Sequence, residues 1–145
     1  MRALVVTAVP FLFVPVALAW PERPTKPPPK PPSAGAPPPA WIETRATSAW
    51  LAYGSYCWKT RCVDMIPPQS RPDLPVFRVK RGVMVRVRLG FTSRSTQVSV
   101  DQRTVPAKLD PTKRIASWAV KRGGLLTVFV RAAGDASYVA RLRIR

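Results

Sequence analysis

The residues best placed to do chemistry in this chain gather in one stretch, YGSYCWKTRCVD at 53–64. It holds both cysteines, Cys57 and Cys62, with Trp58 directly after the first and Asp64 shortly after the second. Three chemistries compete for them: a metal or redox site, a catalytic thiol, or a structural disulfide. A zinc site needs four ligands, and the chain offers 2 Cys and 0 His. Redox pairs use a C-x-x-C spacing at a helix start, whereas these cysteines stand as C-x4-C among β-forming residues. A catalytic thiol needs a base, and histidine, the commonest one, does not occur. No metal and no cofactor is therefore expected. A Cys57–Cys62 disulfide with WKTR as a hairpin connection remains, contributing about 2 kcal/mol on the loop-closure model. Tyr56 and Trp58 then pack beside the bridge, with ligand stacking as the alternative. Asp64 is expected to hydrogen-bond turn amides.

The other carboxylates beyond residue 40 are scattered. Glu43, Asp73, Asp101, Asp110 and Asp135 stand singly, mostly in turn-like contexts. Neither a paired-carboxylate set nor a nucleophile–base set emerges, which argues against a hydrolase and for a non-enzymatic protein.

Residues 1–19 combine Arg2, an apolar run and an Ala-Leu-Ala close, the pattern of a secretory signal peptide, with an uncleaved anchor as the alternative. Both place the rest of the chain outside the cytoplasm, secreted or associated with the cell surface. Residues 20–40 are dominated by proline, lack amide donors and apolar side chains, and read as a disordered, extended linker. Residues 41–145 alternate as strands: Val83, Val85, Val87 and Leu89 against Met84, Arg86 and Arg88, and Ala140, Leu142 and Ile144 against Arg141, Arg143 and Arg145. Further runs lie at 98–100 and 126–130, with weaker ones at 49–53, 76–79 and 115–120. About seven short strands between turn signals predict an all-β domain, an antiparallel immunoglobulin-like β-sandwich with one short-range disulfide. A small barrel is the competing architecture.

Gly54-Ser55-Tyr56-Cys57-Trp58 followed by Cys62-Val63-Asp64, with the ending ASWAVKRGGLLTVFVRAAGDASYVARLRIR at 116–145, resembles an uncharacterised family of small bacterial extracytoplasmic β-domains. That family carries a Gly-Ser-Tyr-Cys-Trp…Cys-x-Asp signature after a short opening strand. Here the two cysteines stand closer together than in the family. The resemblance implies an exported β-domain with one disulfide and implies no activity.

Charge supplies the functional clue. The chain has 24 Lys+Arg against 7 Asp+Glu, a formal net charge of +17, far beyond what solubility requires. Anionic envelope polymers or lipid surfaces are the expected partners, through Arg86 and Arg88 on one strand and Arg141, Arg143 and Arg145 on another. Shared membership of one sheet would make these arginines a single cationic platform. Aromatic residues do not interleave with the basic ones in the sequence, so nucleic acid is expected only as an incidental partner. The alternative is a structural or protein–protein interaction domain, with a cell-surface protein as partner, whose charge serves only solubility.

Overall fold

Where apolar and polar residues alternate, the chain pairs into strands. The computed structural model describes residues 19–145; residues 1–18, which hold nearly all of the expected signal peptide, lie outside the described residues. Twelve strands follow in order: β1 (Trp41–Glu43), β2 (Ser48–Trp50), β3 (Ala52–Trp58), β4 (Arg61–Val63), β5 (Val76–Val79), β6 (Met84–Arg88), β7 (Ser95–Val100), β8 (Arg103–Val105), β9 (Lys108–Leu109), β10 (Ile115–Ala119), β11 (Gly124–Arg131) and β12 (Asp135–Ile144). Seven of them have four or more residues; six of these coincide with runs legible in the sequence, while the run expected at 49–53 straddles β2 and the start of β3. The other five are short. No α-helix occurs among the described residues.

The strands form two sheets. The first has the order β2-β1-β6-β10-β9; the second has the order β4-β3-β12-β11-β7-β8, with β5 also paired to β12. One core lies between them. Ile42, Val85, Val87, Ala116 and Trp118 from the first sheet join Val98, Val128, Val130, Ala136, Tyr138 and Leu142 from the second in one buried cluster. The architecture is therefore all-β in two sheets, antiparallel except for β5, which runs parallel to β12.

Strand β12 serves two partners along one edge. Residues 135–139 pair with β3, and residues 141–144 pair with β5. The β3 register shifts between Ala136 and Tyr138, and beside that shift lies the buried Arg71. Its Nη1 donates to the Tyr53 carbonyl, its own carbonyl accepts from Arg141 Nη2 at 3.2 Å, and its Nη2 meets Asp73 Oδ2 at 3.0 Å. A buried guanidinium is tolerated here because its donors find acceptors.

Residues 20–40 depart from the expected disordered linker. Proline has no N–H and fixes φ, so this segment cannot add a ladder, but its carbonyls remain strong acceptors. Side chains of the domain supply the donors. Trp50 Nε1 donates to the Lys26 carbonyl at 2.7 Å, Tyr53 Oη to Pro37 at 2.9 Å, and Tyr138 Oη to Pro38 at 2.6 Å. Tyr56 Oη and Ser33 Oγ lie 2.8 Å apart. The segment is a strap laid along the body rather than a spacer leading to it.

Candidate functional site

The cysteine motif resolves into a local clasp. Cys57 and Cys62 are cross-strand partners on β3 and β4 and form the disulfide. The hairpin closes through Lys59, whose φ of 53° the tight turn requires. Such a bridge fits an oxidising, extracytoplasmic compartment. Tyr56 and Trp58 are buried, and the Trp58 ring packs 4.8 Å from Phe91. Asp64 accepts from Ser55 Oγ at 2.9 Å, and that same oxygen accepts from the Met65 amide at 2.9 Å. Asp64 thus acts on a hydroxyl, which in turn holds the amide, rather than on turn amides directly. Gly54 sits where a Cβ would fall 2.3 Å from Ser137 Oγ, so a larger residue would have to displace that hydroxyl from its bond to the Ser55 carbonyl.

The expected platform does not form as one surface. Arg86 and Arg88 lie on β6 in the first sheet, whereas Arg141, Arg143 and Arg145 belong to the β12 end of the second. The two groups acquire different surroundings.

On the first sheet, Arg88 Nε meets Glu43 Oε1 at 2.8 Å, and Trp41 Nε1 donates to Glu43 Oε2 at 3.2 Å. The Glu43 side chain is 0% exposed and the Arg88 side chain 31%, so much of the Arg88 charge is committed inward. The Arg86 guanidinium carbon stacks 3.6 Å from the Trp20 ring centroid, with Arg45 5.2 Å from the same ring. Arg23 lies 4.8 Å from the Trp50 centroid and 6.0 Å from that of Trp41. These distances are those of cation–π contacts. Burial draws the Arg86 pKa below its ordinary value and Glu43 pulls it the other way; it remains a cation. Aromatic and basic residues do interleave on this face, contrary to the expectation from sequence, because strand pairing and the strap bring together residues far apart in the chain. A pocket of about 570 Å³ opens at its rim between Arg23, Trp41, Arg88 and Arg114.

On the second sheet the arginines join a larger group. Arg143 is the direct cross-strand partner of Arg78 on β5. The Arg145 amide donates to the Val79 carbonyl, and the Gly82 amide donates to the Val120 carbonyl. Gly123 lies against Leu142 and Ile144, where a Cβ would meet the Leu142 carbonyl at 2.8 Å. These contacts bring the β5–β6 turn, the β10–β11 turn and the end of β12 to one pole of the molecule. Seven basic residues converge there: Arg78, Lys80, Arg81, Lys121, Arg122, Arg143 and Arg145. All are exposed, and among the described residues none of their side chains makes a hydrogen bond, ion pair or ring contact. Asp101 flanks the group, near Arg143, with its carboxylate accepting from the Leu125 amide at 2.8 Å. Arg141 shares the strand face of Arg143, but its guanidinium is engaged, donating to the Arg71 carbonyl.

Lys80, Arg81, Lys121 and Arg122 stand in the turn signals KRG and KRGG, and no local pattern brings those two turns together. Arg78 was hidden because a parallel pairing between β5 and β12 has no local signature. Trp20 and Arg23 escaped notice too, although an aromatic and a cation inside a proline tract are a signal of contact, and Glu43, expected to stand singly, is bonded to Arg88 and Trp41. Elsewhere, Asp110 caps its loop by accepting from the Ile115 amide at 2.8 Å and the Arg114 amide at 3.0 Å and from the Thr112 hydroxyl, which holds its carboxyl at about 2. The chain matches no protein-family model, no curated protein and no solved structure.

Proposed function

We propose that this is an exported, non-enzymatic module of the cell envelope that binds anionic polymers or anionic lipid surfaces through its basic pole. The observation that carries the reading is the uncompensated pair Arg78–Arg143. Like charges directly opposite each other in a sheet are destabilising, and an acid at either position would relieve the cost. Charge retained at a cost to the fold favours a ligand over mere solvation. Arginine suits phosphate and carboxylate through bidentate bonding, and the surrounding lysines and arginines extend the field. The accompanying fold reading is an immunoglobulin-like sandwich, supported by two sheets sharing one core over about 105 residues. The Gly54–Asp64 clasp supports membership of the family of small extracytoplasmic β-domains that it resembles.

The test uses the full chain with a soluble phosphodiester and with vesicles of anionic phospholipid, at low and high salt. Replacing Arg78, Arg143 and Arg145 by Gln together is expected to weaken both interactions at least tenfold while leaving the circular dichroism melt intact. Under the rival reading, in which charge serves only solubility and the partner is a cell-surface protein, the wild-type chain ignores both probes even at low ionic strength. That result would discard the proposal.

A further inference from the structure

The strap occupies a surface built to receive it. Four side chains from three separated strands address it: Trp50 on β2, Tyr53 and Tyr56 on β3, and Tyr138 on β12. Three of them donate to main-chain carbonyls, which are the acceptors a proline segment always presents. Gly90 completes the fit, since a Cβ there would fall 2.8 Å from the Pro38 Cβ. Burial pushes the Tyr53 and Tyr138 hydroxyls up, consistent with neutral donors held against the carbonyls. Indole and phenol donors on an aromatic surface, aimed at the carbonyls of a stiff extended segment, are the chemistry by which proline-rich ligands are recognised.

Two further features bear on who supplies the segment. Among the described residues, no main-chain hydrogen bond joins residues 20–39 to the body; the first is Leu51 N to the Ala40 carbonyl at 3.0 Å. The strap can therefore leave without unzipping a sheet. It also fails to fill the space beneath it, because a cleft of about 1050 Å³ runs between the strap and the β2 edge, bordered by Lys26, Trp50, Arg71 and Asp73. Stretched, the segment reaches on the order of 60 Å at about 3.1 Å per residue, enough to reach a neighbouring molecule.

We propose that this surface is a receptor for proline-rich segments, and that its occupant in trans is the 20–39 segment of a second copy of the chain. Exchange breaks and remakes the same contacts, so it is nearly isoenergetic and the balance is set by concentration. The tethered strap competes at an effective concentration in the millimolar range. Copies crowded at a surface then link by their straps, and dilute copies close on themselves.

The test mixes nitrogen-14 and nitrogen-15 forms of the wild-type full chain and joins amines to carboxylates with a zero-length carbodiimide. Mixed-isotope links from Lys26 or Lys30 to Asp73 are expected at about 1 mM chain and about a hundredfold fewer at about 10 µM. As a second measurement, a labelled peptide of sequence 20–40 is titrated into a full chain carrying Pro37→Gly and Pro38→Gly. Saturable binding at least tenfold tighter than to the wild-type chain is expected, and lost in a Trp50→Phe background. The inference is overturned if links at millimolar concentration are all of one isotope, if mixed links scatter over lysines remote from the strap, or if the peptide does not bind.

Discussion

Replacing Arg78 by glutamate should make the protein more stable and worse at its proposed task. Arg78 and Arg143 are register partners in the parallel pair β5–β12, about 4.8 Å apart across the strands, and among the described residues neither guanidinium has a partner. A like-charge pair in this position costs a few tenths of a kcal/mol up to about 1, and an opposite-charge pair contributes a similar amount. Both side chains are exposed, so screening by water holds the total change to about 1 kcal/mol. For a domain of this size that raises Tm by roughly 4 °C at low ionic strength. Thermal unfolding followed by circular dichroism at about 10 mM and about 1 M salt measures it. The gain should shrink severalfold at high salt, where the Debye length falls to about 3 Å. The same variant should bind a phosphodiester probe more weakly. A lower Tm, or a gain that persists undiminished in 1 M salt, would refute the electrostatic reasoning behind the basic pole.

Three other outcomes follow from the structure. Arg88→Leu should cost about 3 kcal/mol in denaturant melts, because it strands the fully buried Glu43 with Trp41 and the nearby Arg86, whereas Glu43→Leu should cost about 1, since Arg88 can turn to water. The Tyr53 phenol is pushed up to about 12 and Tyr138 is pushed up too, so the folded state holds those protons more tightly than the unfolded one; stability should be complete below about pH 10 and fall as pH rises towards 12, with ultraviolet titration showing two of the 3 tyrosines ionising late. Asp110 shifts in the opposite sense, from 3.8 to about 2, so its contribution should be present above about pH 4 and be lost as pH falls through 2, an effect that Asp110→Asn should remove from the acid melt.

What the sequence revealed was what is local. Alternation in 83–89 and 139–145 foretold which side chains of β6 and β12 face the core, because the period of two is a property of the strand alone. The disulfide was equally legible, being closed by a turn of two residues. Arg143 and Arg145 are exposed as their strand phase foretells, whereas Arg86 and Arg88 are half-buried against Trp20 and Glu43; how the four group depends on which strands pair. The parallel register that sets Arg143 beside Arg78 joins residues 65 positions apart, and no local pattern records it. The strap was misread for a different reason. Its prolines say that it cannot form ladders, but the donors that hold it, on Trp50, Tyr53 and Tyr138, lie outside it and look like core aromatics in the sequence.

The most direct test of the account is the salt dependence of binding between the full chain and a single-stranded oligonucleotide used as a soluble phosphodiester. If the seven cations of the pole engage phosphates together, log Kobs should fall against log salt with a slope approaching about −5, and the Arg78/Arg143/Arg145→Gln variant should bring it to about −3. A wild-type slope near zero, or an identical slope in the variant, would contradict the assignment of the basic pole as the binding surface.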